Sequence, residues 1–157
     1  MRVLVGGVGY RFLRDQSLGI HIAERLAERA QNGIEVEDLG YHPVGFVQNL
    51  EERPDYDRIV LVAAVQRGRP PTTVDVYRWD GQLPSPDEIQ ARVSEAVTGV
   101  ISLDNLLIVS GAFGALPEDV RVVEIEPLDE GWGDGFTPEI EAKIPEIMET
   151  VWSLTRP

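Results

Sequence analysis

Apolar residues along this chain fall into two rhythms, short unbroken runs and longer stretches in which they recur every three or four positions. The first run, Val3 to Gly6, predicts a strand that opens into the glycine-rich turn Gly6-Gly7-Val8-Gly9. Leu18, Ile22 and Leu26 then repeat at helical spacing, with Ala23, Ala27 and Ala30 widening the stripe, so a helix is expected from about Ser17 to Gln31. Gly33 stands where a helix C′ glycine would stop it. Ile34-Glu35-Val36-Glu37 alternates as a short strand, Gly40-Tyr41-His42-Pro43 reads as a loop, and Val44 to Leu50 reads as a short helix.

The strongest strand signal is Asp57-Arg58-Ile59-Val60-Leu61-Val62-Ala63-Ala64-Val65, whose near-continuous apolar run implies burial on both faces. Gln66 to Pro71 is a loop, and Thr73-Val74-Asp75-Val76-Tyr77 alternates as another strand. Ser85-Pro86-Asp87-Glu88 carries a serine cap, a proline at the first helical position and a glutamate three after the cap, and so opens a helix to about Val97. A second apolar helix is expected over Leu103 to Phe113, and a strand over Val120 to Ile125. The last helix begins at Thr137-Pro138-Glu139 and turns Ile140, Ile144, Ile147, Met148 and Val151 inward, with Pro145 expected to bend it. Strands alternate with helices, which predicts a three-layer α/β/α sandwich around a mostly parallel twisted sheet. No repeat or low-complexity linker interrupts residues 1–157, so a single domain is expected.

Composition narrows the function. Apolar residues make up 43% and charged residues 26% of the chain, as in ordinary globular proteins rather than disordered ones. The absence of cysteine removes thiol catalysis, thiolate metal sites and disulfides, and fits a cytoplasmic setting. The first strand begins at once, without a signal-peptide pattern, and no apolar run approaches the roughly 20 residues of a membrane span. A net charge of −13 repels phosphate backbones and anionic lipid, so nucleic acid and membrane are poor partners, whereas a basic protein is a suitable one.

Candidate chemistry is sparse. Gly7 and Gly9 follow a strand, but Phe12 stands where a dinucleotide fingerprint needs its third glycine, and no P-loop lysine follows. These glycines are expected to let the chain turn tightly at the strand end. His21, Glu24 and Glu28 share a helix face at metal-ligand spacing, yet they fall where the polar stripe of that helix must lie. His42 sits in a loop after a strand, where α/β proteins place functional groups, without an assigned partner. Asp15 and Gln16 precede the first helix, where an aspartate commonly caps free N–H groups. No Gly-x-Ser-x-Gly elbow supports serine catalysis.

The order of the segments nevertheless resembles that of the nickel–iron hydrogenase maturation endopeptidases over nearly the whole chain. The resemblance is carried by Gly7-Val8-Gly9-Tyr10, Asp15-Gln16-Ser17-Leu18-Gly19, Ala23-Glu24-Arg25-Leu26, the strand Val60 to Val65, and Gly68-Arg69-Pro70-Pro71-Thr72-Thr73-Val74. Toward the C-terminus, Ile125-Glu126-Pro127 and Gly135-Phe136-Thr137-Pro138-Glu139-Ile140-Glu141 continue it. The resemblance implies a fold of the phosphorylase/hydrolase-like kind and a role in trimming or assembling a hydrogenase large subunit. It also implies nickel as the metal of active relatives, with ligands at positions that here hold Gln16, Ala63 and Gly99. An amide, a methyl group and a glycine make poor ligands. The expectation is therefore a degenerate, non-catalytic member without a cofactor, which binds a hydrogenase large subunit or another maturation protein. Its partner groove would use Gly9, Tyr10, Asp15, Gln16, Tyr41 and His42. The alternatives are an active endopeptidase with a rearranged site built on Asp15 and His42, and a small-molecule-binding module in the same crevice.

Overall fold

The computed structural model of the chain describes residues 1–40, 43–98 and 102–157. Its strands are β1 (Val3–Val8), β2 (Ile34–Asp38), β3 (Arg58–Ala64), β4 (Val74–Arg78) and β5 (Asp119–Ile125). Its helices are α1 (Leu18–Leu26), α2 (Pro43–Glu51), α3 (Pro86–Val97), α4 (Leu103–Ala112) and α5 (Pro138–Ser153). The strands form one sheet in the order β2-β1-β3-β5-β4. All neighbours are parallel except β4, which runs antiparallel along β5 at the edge.

The two-residue period of β3 shows why this strand lies at the centre. Ile59, Leu61 and Ala63 pack on one face with Phe46 of α2 and Leu103, Leu106 and Leu107 of α4. Val60, Val62 and Ala64 pack on the other with Leu18, Ile22 and Leu26 of α1 and Ile140, Ile144 and Ile147 of α5. The result is the expected three-layer α/β architecture, and each fully buried Val, Leu or Ile contributes about 1.5–3 kcal/mol.

Two expectations about glycine change. The N-terminal glycines do not make a turn. Gly6 and Gly7 lie inside β1, and a β-carbon on Gly7 would collide with the carbonyl oxygen of Gly19, just as one on Gly19 would collide with the carbonyls of Val8 and Val62. Gly7 and Gly19 let α1 lie close against the sheet, whereas Gly6 makes room for Leu39 and Leu61 on the other face. Gly33 does not cap α1, because the helix passes into a 3-10 turn at Ala27–Arg29 and Ala30 is already extended. Gly33, with φ of 86°, instead serves the tight turn in which Gln31 and Ile34 pair before β2.

The other helix ends follow the sequence. Ser85 caps α3 by accepting from the Glu88 N–H at 3.3 Å, and Ser102 caps α4 by accepting from that of Asn105 at 3.1 Å. Helix α5 runs through Pro145 from Pro138 to Ser153, its proline on the exposed side.

Candidate functional site

Strand β1 is flanked by β2 on one side and β3 on the other, so the connections diverge between β1 and β3. In open α/β sheets ligands bind at such a divergence, beyond the carboxyl ends of the strands. A cavity of about 190 Å³ opens there, and its walls include Val8, Gln16, Ala63, Ala64, Asp104 and Glu130. A larger recess of about 640 Å³ lies at the opposite end of the sheet, against Trp79, Gly111 and Pro117.

The cavity owes its shape to two loops that are zipped together, one after β1 and one after β5. The Gly133 N–H donates to the Phe12 carbonyl at 2.8 Å, and the Asp15 N–H donates to the Asp129 carbonyl at 3.0 Å. Phe12 and Arg14 hold left-handed backbone angles, with φ of 65° and 45°, which non-glycine residues rarely adopt. Asp15 holds them there. Its carboxylate is fully buried and accepts the N–H groups of Leu128, Asp129 and Thr137 at 2.9, 3.0 and 2.9 Å. The Thr137 hydroxyl donates to it as well, at 3.0 Å, rather than capping α5. The expected capping of its own helix is replaced by a clamp on a loop more than a hundred residues away.

Gln16, next to this clamp, faces the cavity. With its amide nitrogen turned toward the two acceptors, it donates to the Ala64 carbonyl at 3.2 Å and to Glu130 Oε1 at 2.7 Å. Burial, together with the neighbouring carboxylates of Glu126 and Asp15, pushes the Glu130 carboxyl above its ordinary range. Glu130 has no arginine or lysine partner among the described residues.

Beside the cavity a second set of acids is fully engaged. Glu124, paired across the sheet with Ala63, takes hydrogen bonds from Arg67 (3.0 Å), Arg69 (3.3 Å) and the Tyr77 hydroxyl (2.6 Å). Arg67 also grips Asp104 through both terminal nitrogens, at 2.9 and 2.8 Å. Glu126 accepts from the Arg67 and Gly68 N–H groups and from the Arg69 guanidinium, each at 3.0 Å. Burial pushes the Glu126 carboxyl up, but the Arg67 N–H, the Arg69 guanidinium and the Gly68 N–H outweigh it, and the net direction is downward.

No family model matches the chain. It is 27% identical, over 159 residues, to the hydrogenase 2 maturation protease of Escherichia coli (strain K12), an alignment that spans 99% of this chain and 92% of that protein. Its fold superposes on an endopeptidase from Escherichia coli with a TM-score of 0.71 and 27% identity, covering 98% of this chain and 91% of the other. In sequence and in fold the chain is similar to hydrogenase maturation endopeptidases over nearly its whole length. The NiFe hydrogenase maturation protease HybD from Thermococcus kodakarensis shares the fold at a TM-score of 0.69 and 20% identity, covering 99% of this chain and all of that one, 100%.

Of the positions singled out from this family's pattern, Gln16 and Ala63 do meet in one cavity, whereas Gly99 lies outside the described residues. Tyr41 and His42 lie outside them too. Gly9 and Asp15 are buried and so correct the expectation of an exposed groove: Gly9 packs on the Gln16 carbonyl, and Asp15 has committed its lone pairs to the loop clamp. Tyr10 is half-buried against the α2/α4 side of the core. His21 stays on the outer face of α1, 3.4 Å from Glu24 and edge-on to Phe136. Among the described residues no three His, Cys, Asp or Glu side chains converge as a metal site, and no helix is long and apolar enough to cross a membrane. At the two described positions expected to hold metal ligands, the cavity wall presents the Gln16 amide and the Ala63 methyl, which are poor donors.

Glu130 and the Glu124–Arg67–Asp104 network were not legible in the sequence. Glu130 belongs to an irregular loop, and Glu124 sits in a strand pattern that reads as apolar. The alternation of Val122 and Glu124 on one face of β5 is the only signal that pointed to a buried acid.

Proposed function

We propose that this protein is a non-catalytic assembly factor that binds a hydrogenase large subunit, or another maturation protein, at the cleft between β1 and β3. The observation that carries this reading is the meeting of Gln16 and Ala63 in one cavity. The two described positions marked for ligands converge, yet they offer an amide and a methyl group. The framework around them is well formed, with the buried Asp15 clamp and the close glycine contacts of α1 holding the cleft in shape. A well-formed cleft with poor donors favours binding over hydrolysis, since without a metal there is nothing to acidify water in the manner of metal-assisted hydrolysis. An Asp15–His42 site is disfavoured, because Asp15 already accepts three N–H groups and a hydroxyl.

Affinity capture with the tagged full chain from its native host tests this reading. A hydrogenase large subunit should be recovered with its C-terminal extension uncut after incubation with nickel. Cleavage of that extension by the purified protein, or capture of neither a large subunit nor a maturation protein, overturns it.

A further inference from the structure

The geometry points to the β1/β3 cavity as a receptor for one basic side chain of the partner polypeptide, with Glu130 as the acid that pairs with it. This rests on the proposed partner role and specifies its chemistry. At about 190 Å³ the cavity is smaller than the roughly 300–1,000 Å³ of a typical small-molecule pocket, and so suits a single side chain.

Its walls divide as a long cationic side chain requires. Val8, Ala63 and Leu103 offer apolar surface to a methylene stem, while Glu130 and the Ala64 carbonyl offer acceptors to its head. Asp104 completes the acidic rim but is bound to Arg67, which leaves Glu130 as the acid without a cation. The described hydrogen bond to Glu130 comes from a neutral amide and reaches one oxygen, Oε1. A metal ion would need several strong donors at once, and these do not converge here among the described residues. A guanidinium or ammonium group needs only acceptors.

The surroundings fit a polypeptide. Phe12 and Trp132, 57% and 78% exposed, stand on the same two zipped loops that supply Gln16 and Glu130. Exposed aromatic side chains on a rigid loop pair make low-entropy anchors for a docked segment. The net charge of −13 draws a basic segment toward the molecule.

The test uses three capped pentapeptides, Ala-Ala-X-Ala-Ala, in which X is arginine, the neutral isostere citrulline, or norleucine. Binding to the full chain is followed by ¹⁵N NMR. The arginine peptide should shift the Ala64, Val65 and Glu130 amides and the Gln16 side-chain NH₂, and the citrulline and norleucine peptides should not. Glu130→Gln and Glu130→Ala should each weaken the arginine peptide at least tenfold while the rest of the spectrum stays native. The remote Glu139→Gln should leave its affinity unchanged. Equal response to citrulline, shifts confined to acids outside the cavity, no response to any peptide, or unaltered binding by both Glu130 variants overturns the inference. The partner reading is separable. A large subunit captured equally by wild type and Glu130→Gln removes the pocket assignment alone, and failure of wild type to capture any leaves the peptide experiment to decide the pocket.

Discussion

Asp15 and Gln16 are neighbours with opposite employment. Asp15 turns inward and organises a loop, and Gln16 turns toward the cavity. Replacing Asp15 with Ala removes the acceptor of three N–H groups on a partly exposed loop and empties a buried site, so the chain should lose about 2–4 kcal/mol in urea unfolding. The amides of residues 128–137 should also lose hydrogen-exchange protection; a loss under about 1 kcal/mol means the clamp is dispensable. Glu126 and Glu130 should separate on titration. Glu126 is held below the ordinary glutamate range, so its stabilisation is complete above roughly pH 4.3 and fades as pH falls through its lower folded value. Glu130 is raised, so stability declines as pH rises from the unfolded value through the higher folded one. Carboxyl NMR should find Glu130 titrating above Glu126, and the reverse order contradicts the site as described.

At the scale of elements, α1 and α5 cover the same face of the sheet under different constraints. Gly19 touches the Val8 and Val62 carbonyls, and a methyl group there must push α1 away from rigid backbone. Gly19→Ala is therefore expected to cost about 1–3 kcal/mol or more, despite the better helix propensity of alanine, as read from chemical denaturation. Pro145 is exposed inside α5 and lacks the N–H that would donate to the Glu141 carbonyl. Pro145→Ala restores that bond, and the freedom it returns to the unfolded chain offsets part of the gain. A net stabilisation of about 1–2 kcal/mol and a higher Tm are expected; an unchanged or lower Tm shows that α5 is built around its proline. The helices were legible because α1 and α5 carry amphipathic stripes, α4 a run of apolar residues, and α3 a serine cap. The end of α1 was misplaced because Ala27 and Ala30 continue the stripe although the backbone has already tightened into a 3-10 turn.

Across the whole molecule, convergence of chain segments distant in sequence makes the cavity. Its two described ligand positions provide the means to check that convergence. Gln16→Glu with Ala63→Asp, and Gly99→His as a third change, should produce a chain that melts lower without metal. The reason is that Ala63 is buried, so a carboxylate placed there would be desolvated and unpaired. Nickel or zinc should restore the melting temperature through binding to the folded state. A folded triple variant without any metal-dependent shift means the three positions do not form one site.

By itself the sequence determined the layers, the order of elements and the family pattern, since these follow from hydrophobic period, caps and collinear motifs that act over a few residues. It also marked Gln16 and Ala63 as positions that lack good ligands. Only the tertiary structure decided that the glycines serve helix–sheet contact, that Asp15 is consumed by a distant loop, and that Glu130 enters the cavity without a cation. Each of these depends on backbone groups brought together across tens to more than a hundred residues, and a local pattern holds no record of which carbonyl, amide or carboxylate will stand opposite.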